Sequence, residues 1–279
     1  MWKSTQKLIK LILKKFGLEV VKISQSPNPA DSQDWCKSYP CETYDTHKLL
    51  DVDKELLNRF NTFIQNNLNL LEFKNKICRL YYSKKWELGK GVLYPTSMFY
   101  QSFEKLQIEG QRPTTFRFYT YGLDKLLQKN HQVLDIGCNC GFFALHISEY
   151  VNSVDGVEFN KELVEIADVT KEYLNINNCH FHFADFRKFV TNKKYDVIFS
   201  FAVHYWIGMS MKEYALQLSN LLNPNGFVVF ESQDISTIDS DFDEKIKEFC
   251  ENGFKVIYGG SMMTGKDYPR KFMILLKHS

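Results

Sequence analysis

Residues 133–148 read VLDIGCNCGFFALHIS. An apolar run carrying one acid, Asp135, ends at Gly137, and Gly141 opens a second apolar stretch at helical spacing. The pattern predicts a strand, a tight loop and a helix. Glycines at 137 and 141 let the chain turn sharply and let a ligand approach the backbone. The first N–H groups of the following helix have no intrahelical partner and face the same point.

Working outward toward the C-terminus, strand-like segments alternate with helical ones. Strands are expected at 132–136, 153–157, 180–183, 195–199, 226–231, 254–258 and 272–277. Helices are expected at 142–150, 161–174 and 211–222, with a short one near 186–191. Short strands separated by helices imply an α/β fold, a parallel sheet covered on both faces. Ligands in such sheets bind beyond the strand C-termini, where the strand order reverses.

The loop reads Gly-x-Asn-x-Gly rather than Gly-x-Gly-x-x-Gly, and Asp135 opens it; both features point away from a dinucleotide site. The next strand runs into VDGVEFN, placing Glu158 at its tip with Phe159 beside it. A carboxylate there can accept both hydrogen bonds of a ribose diol. The third strand ends in FHFADFRKF, putting Asp185 and Phe186 where an acid can accept from an exocyclic amine and an aromatic ring can stack. The fourth is YDVIFS followed by FAVHYW, and the fifth is LLNPNGFVVFES, in which Pro224, Asn225 and Gly226 turn a helix into a strand.

This series resembles the class I S-adenosylmethionine-dependent methyltransferases over about residues 113–279. The resemblance implies a Rossmann-like seven-stranded sheet whose last strand is antiparallel, and S-adenosyl-L-methionine as cofactor. It places Asp135, Gly137, Cys138, Asn139 and Gly141 around the methionine and ribose, and Glu158 with Phe159 at the ribose hydroxyls. Asp185 with Phe186 falls to the adenine, and Ser200 with Phe201 borders the reactive methyl. Asn139 stands where the family carries its middle glycine.

N-terminal to this domain, apolar residues recur at helical spacing from 46 to about 79, and a further helix is expected at 97–108. Pro113 can open a helix over 114–128, its fixed φ suiting a first turn. Residues 46–112 are therefore expected to form a helical cap. The entry segment IEGQRPTTFRFYTYGL offers Arg117 or Arg112 to the cofactor's carboxylate, with ion pairing inside the fold as the alternative for either. Tyr121 is positioned to close over the cofactor, and 110–113 reads as a loop able to fold over the pocket.

Residues 1–23 carry six lysines and one glutamate; against a chain total of +2, the remainder carries −3. A body with that balance offers no broad cationic field, so nucleic acid is not the expected partner. Lys3, Lys7, Lys10 and Lys14 form one stripe of an amphipathic helix, which either lies on an anionic membrane surface or packs on protein. Residues 24–45, with Pro27, Pro29 and Pro40, read as a linker. Seven scattered cysteines without a Cys-x-x-Cys pair suggest reduced thiols in the cytoplasm and no metal site.

His204, four residues past Ser200, is the candidate general base for a hydroxyl acceptor; packing in the fold is the alternative. Tyr205 and Trp206 are candidate walls of the acceptor pocket. No Asn/Asp-Pro-Pro-Tyr/Phe follows the fourth strand, which removes the usual sign of methylation at a base amino nitrogen. The whole layout is similar to methyltransferases of bacterial surface-polysaccharide clusters. That similarity implies O-methylation of a sugar, a glycan or a phosphate-containing glycan precursor. An RNA or protein methyltransferase and a non-catalytic cofactor-binding subunit are the competing readings.

Overall fold

The computed structural model describes residues 51–83, 99–263 and 269–278. The expected basic helix at 1–23 and the linker at 24–45 lie outside the described residues. The chain divides into two units, Met1–Phe60 and Asn61–Ser279, and the sheet belongs to the second.

Helix α1 (Asp51–Ser83) enters this second unit with Phe73 and Ile77 buried, Phe73 stacking on Tyr173 at 4.2 Å. The helix expected at 97–108 is absent. In its place stand β1 (Phe99–Gln101), a 3-10 turn (Glu104–Leu106) and β2 (Gly110–Arg112), with β1 and β2 paired in parallel. The physical reason lies in the side chains: Phe99, Gln101 and Phe103 all face inward at period two, a strand's periodicity. Phe99 and Phe103 pack on Phe142 at 5.5 Å each, so 99–112 belongs to the core of the main body. The loop expected at 110–113 is thus largely a strand.

Pro113 precedes α2 (Thr114–Thr120) as expected, but Gly122, at φ +68°, ends that helix and a short α3 (Leu123–Leu126) follows. Then comes the alternation read from the sequence: β3 (Gln132–Ile136), α4 (Phe142–Ile147), β4 (Ser153–Glu158), α5 (Lys161–Tyr173), β5 (Cys179–Phe183) and β6 (Tyr195–Phe201). It continues with α6 (His204–Ile207), α7 (Met211–Leu221), β7 (Leu222–Glu231), α8 (Phe242–Glu251), β8 (Phe254–Met263) and β9 (Pro269–Lys277). β7 starts earlier than expected because Leu222 pairs with Tyr195 before an irregularity; the regular ladder begins at Phe227.

The seven strands lie in the order β5-β4-β3-β6-β7-β9-β8. The first five are parallel, and β9 runs antiparallel to both its neighbours. This is the Rossmann-like seven-stranded sheet with an antiparallel last strand that the resemblance implies. Strand periodicity splits the core into two layers. Val133, Val154, Val197, Phe199, Val229 and Ile274 face α4 and the aromatic cap, whereas Leu134, Ile198, Val228, Phe230 and Leu275 face α7 and α8. The order reverses between β3 and β6, so a ligand belongs above those two strand tips.

Candidate active site

A cavity of about 660 Å³ opens over those tips, within the range of small-molecule sites. Gly137, Asn139, Glu158, Phe159, Asp185 and Phe186 all line it. Each comes from the C-terminal end of β3, β4 or β5. At the far end the wall is made by Tyr100, Phe201, Ala202, Val203, Trp206 and Gln233.

The loop after β3 is built for close approach. Gly137 has φ +68°, and a Cβ there would stand 2.4 Å from Val203 Cγ2. Asn139 takes φ 55°, a left-handed conformation that Asn tolerates better than most residues, which explains its presence where a glycine would serve. Glu158 then ties the loop to the next turn. Its Oε2 accepts from the Asn139 amide at 3.0 Å, and its Oε1 accepts from the Phe159 and Asn160 amides at 3.0 Å. Burial raises the Glu158 carboxyl above its ordinary range even so, and these three amides only partly offset it. A carboxylate has about four acceptor sites, so it can still receive a hydroxyl from the cavity side.

Asp135, Cys138 and Gly141 lie beneath the wall rather than on it. Asp135 is 1% exposed and its Oδ2 has no hydrogen-bond partner. Burial raises its pKa to about 7, with Glu158 adding to the rise and Arg117 opposing it. Cys138 is fully buried, close under Gly156. Gly141, at φ +68°, starts α4 with no room for a side chain against Phe181.

Asp185 carries a partner that the sequence did not announce. Arg187 donates to it from Nε and Nη2, the shortest contact being 2.6 Å, and both side chains line the cavity. Phe186 is 5% exposed and packs edge-on against Tyr214.

Three expected site residues stand elsewhere. Ser200 is fully buried and shares a 2.8 Å hydrogen bond with Tyr214, because β6 alternation turns it toward α7 and not toward the cavity. His204 is likewise absent from the cavity wall: its ring packs 5.0 Å from Tyr214 and 6.3 Å from Phe230. Neither ring nitrogen makes a hydrogen bond of ordinary geometry, the Met209 backbone being only a weak partner. Burial and then Lys245 lower its pKa. Of its two neighbours, Trp206 lines the cavity and Tyr205 does not.

The third is Arg117, which sits behind Phe201 with its guanidinium 4.7 Å from that ring. Its Nη2 donates to Glu231 Oε2 at 2.5 Å and its Nε to Tyr121 Oη at 3.0 Å, while Nη1 is buried without a partner. Tyr121, expected to close over the cofactor, is fully buried and donates to Glu231 instead. Arg270 completes this network from β9, donating to Glu231 Oε1 at 2.5 Å. Although burial pushes the Glu231 carboxyl up, Arg117 and Arg270 hold it at about 2. Glu231, Arg270, Gln233 and Tyr100 were missed in the sequence. Glu231 had a usable signal: like Asp135, Glu158 and Asp185, it is an acid at the tip of an apolar strand.

The sequence matches a family of methyltransferase domains over residues 127–273, just over half of the chain. The chain belongs to the class I S-adenosylmethionine-dependent methyltransferases. Among similar proteins is malonyl-[acyl-carrier protein] O-methyltransferase 2 of Ilyobacter polytropus, 26% identical over 145 residues, which are 45% of this chain and 55% of that one. Malonyl-[acyl-carrier protein] O-methyltransferase 1 of the same organism is 32% identical over 108 residues, 38% of this chain and 39% of that one. The chain thus spans about half the length, or less, of these relatives. In fold, this methyltransferase is similar to the N-methyltransferase NodS of Bradyrhizobium japonicum in complex with S-adenosyl-l-homocysteine. The TM-score is 0.51 at 15% identity, covering 60% of this chain and 89% of that one.

The residues of the methyltransferase site fit the cofactor on two observations. The unpartnered Asp135 Oδ2 is a buried acceptor awaiting a donor, and Gly137, Asn139 and Glu158 line a cavity of small-molecule size.

Proposed function

We propose that this methyltransferase acts on oxygen, with a sugar, a glycan or a phosphate-containing glycan precursor as acceptor. The carrying observation is the far end of the cavity, which two aromatic residues, Tyr100 and Trp206, line together with the amide residue Gln233. Such a wall suits a polar ring bearing oxygens. That the two Ilyobacter relatives are named O-methyltransferases supports oxygen as the atom methylated.

In this reading Asp135 receives the cofactor's ammonium, while Arg117, committed to Glu231 behind Phe201, takes no direct part. Gly137 and Asn139 pass close to the methionine and ribose, with Cys138 and Gly141 shaping the loop beneath. Glu158 takes the ribose hydroxyls with Phe159 at the rim, and Asp185 with Phe186 takes the adenine. When bound, the cofactor supplies an activated methyl; the chain's part is to align an acceptor oxygen at about 3–3.5 Å and exclude water. Residues 1–23 would hold the enzyme against the anionic inner surface of a membrane, with the body in the cytoplasm.

The test is transfer of labelled methyl from S-adenosylmethionine into separated glycan, lipid, nucleotide, RNA and protein fractions. Label in the glycan or glycan-phosphate fraction is expected. Label confined to RNA or protein overturns the reading.

A further inference from the structure

The buried network behind the far wall is unbalanced in charge. Arg117 and Arg270 are 1% and 2% exposed, and Glu231 is the carboxylate that both of them touch. Among the described residues no second carboxylate forms an ion pair with either guanidinium. Asp135 lies near Arg117 but is held toward its neutral form by burial. Asp234, which Arg270 influences, spends its carboxylate on Ser236 and Thr237 in the turn after β7. A buried charge without compensation is costly, and fold stability alone gives no reason for a second arginine. Arg117 Nη1 and Arg270 Nε are moreover buried without hydrogen-bond partners.

The excess reaches the cavity through two side chains. Arg270 donates from Nη1 to Tyr100 Oη at 3.3 Å and from Nη2 to Gln233 Oε1 at 3.4 Å, and both of these residues line the far end. Cofactor binding leaves the site positive. Its carboxylate and ammonium balance each other and an ionised Asp135 offsets Arg117, but its sulfonium adds a positive charge beside the same wall.

We propose that the acceptor presents an acid oxyanion, a carboxylate or a phosphate, to the Tyr100–Gln233 end of the cavity, with Arg270 behind them as the balancing charge. This rests on the proposed O-methyltransferase reading and narrows its substrate class. The reaction then needs no base. The acceptor oxyanion forms the new O–C bond with its own electron pair while the C–S pair passes to sulfur, giving a methyl ester with one negative charge fewer than the acceptor and a neutral thioether. No proton moves. Two opposite charges annihilate in a site of low dielectric, which favours the transition state over the separated ions. The far end accordingly holds no His, Asp or Glu among its described lining residues. Tyr100 suits the donor's part: although burial pushes its pKa up, Arg270, Arg112 and Arg117 together bring it below the ordinary value against Glu231. Arg270 is a positioning residue here, acting through Tyr100 and Gln233.

The test uses the full chain loaded with S-adenosylhomocysteine and follows binding of malonate and of methyl phosphate by calorimetry. Malonamide and trimethyl phosphate serve as their neutral counterparts. Saturable binding of one anion, at least about tenfold tighter than its neutral counterpart, is expected, and which anion wins separates a carboxylate from a phosphate acceptor. Arg270→Gln should weaken that binding about tenfold or more, whereas Arg270→Lys, which keeps the charge, should restore most of it; S-adenosylhomocysteine affinity should change little in either. Glu231→Gln, which enlarges the excess, should tighten it. Equal binding of anion and neutral counterpart by the wild-type chain overturns the proposal without any variant, as does failure of both anions to bind or unchanged anion affinity in Arg270→Gln. Failure of S-adenosylhomocysteine itself to bind would instead remove the methyltransferase reading on which the proposal stands.

Discussion

The backbone N–H of Ala202 donates to the carbonyl of Glu231 across 2.9 Å and helps hold a non-glycine residue at φ 55°. Gln233 closes the other side by donating its side-chain amide to the Ala202 carbonyl. The tip of β6 is thereby bent so that Phe201, Ala202 and Val203 all face the cavity. A left-handed residue with a side chain costs roughly 1–2 kcal/mol relative to the right-handed form, and more when β-branched. Ala202→Gly should therefore leave stability unchanged or raise it by up to about 1 kcal/mol, and Ala202→Val should cost at least about 2 kcal/mol. Denaturant unfolding of the three proteins is the check. Equal stability of the Val and Gly variants would show that the turn is not strained.

His204 packs on the face of the sheet opposite the aromatic cap, so its removal should be felt in stability and not in chemistry. Replacing a buried polar group that lacks good partners by an apolar one of similar size is close to neutral or stabilising. His204→Leu should keep neutral-pH stability within about 1 kcal/mol and turnover within severalfold of the wild type. The pH dependence gives a second readout. Burial lowers the folded-state pKa below 6.5, so the unfolded chain binds a proton first, and this residue's contribution to stability is lost as pH falls from 6.5 toward the depressed value. That loss should be missing in His204→Leu. A hundredfold drop in turnover at unchanged stability would restore His204 as the base.

Much of this was legible in the sequence. Strand-to-helix alternation after residue 132 gave the parallel sheet, and acids at strand tips gave Glu158 and Asp185, because both signals are local. What was not legible depends on contacts between distant segments. Arg117 looked available to the cofactor because Glu231, 114 residues away, was not recognised as its partner. Tyr100 was hidden in a stretch whose aromatic residues fit either a helix or a strand, and only packing on Phe142 decides for the strand. Ser200 and His204 were placed by nearness in sequence to a strand tip, which fixes position along the sheet but not the face on which a side chain emerges.

Asp135 should report cofactor binding as a proton release. In the free protein its pKa is about 7, chiefly through burial, so at pH 6 the carboxyl is mostly protonated. An ammonium placed beside it favours the charged form. Binding of S-adenosylhomocysteine at pH 6 should thus release most of one proton, seen as a dependence of the observed enthalpy on the buffer's ionisation enthalpy. The effect should fade by about pH 8 and disappear in Asp135→Asn. The same raised pKa makes the free protein lose stability as pH rises from the ordinary carboxylate range through about 7. No buffer dependence at pH 6 would mean that Asp135 does not meet the ammonium.

The cavity over β3, β4 and β5 is expected to hold the cofactor through Glu158. The most direct measurement is calorimetric titration of S-adenosylhomocysteine into the wild-type chain and into Glu158→Ala. Hydrogen bonds to a charged group contribute about 1.5–3 kcal/mol, so the variant should bind roughly 10- to 150-fold more weakly at one-to-one stoichiometry. Unchanged affinity in Glu158→Ala, or no binding by the wild-type protein, would mean that Glu158 does not hold the cofactor in this cavity.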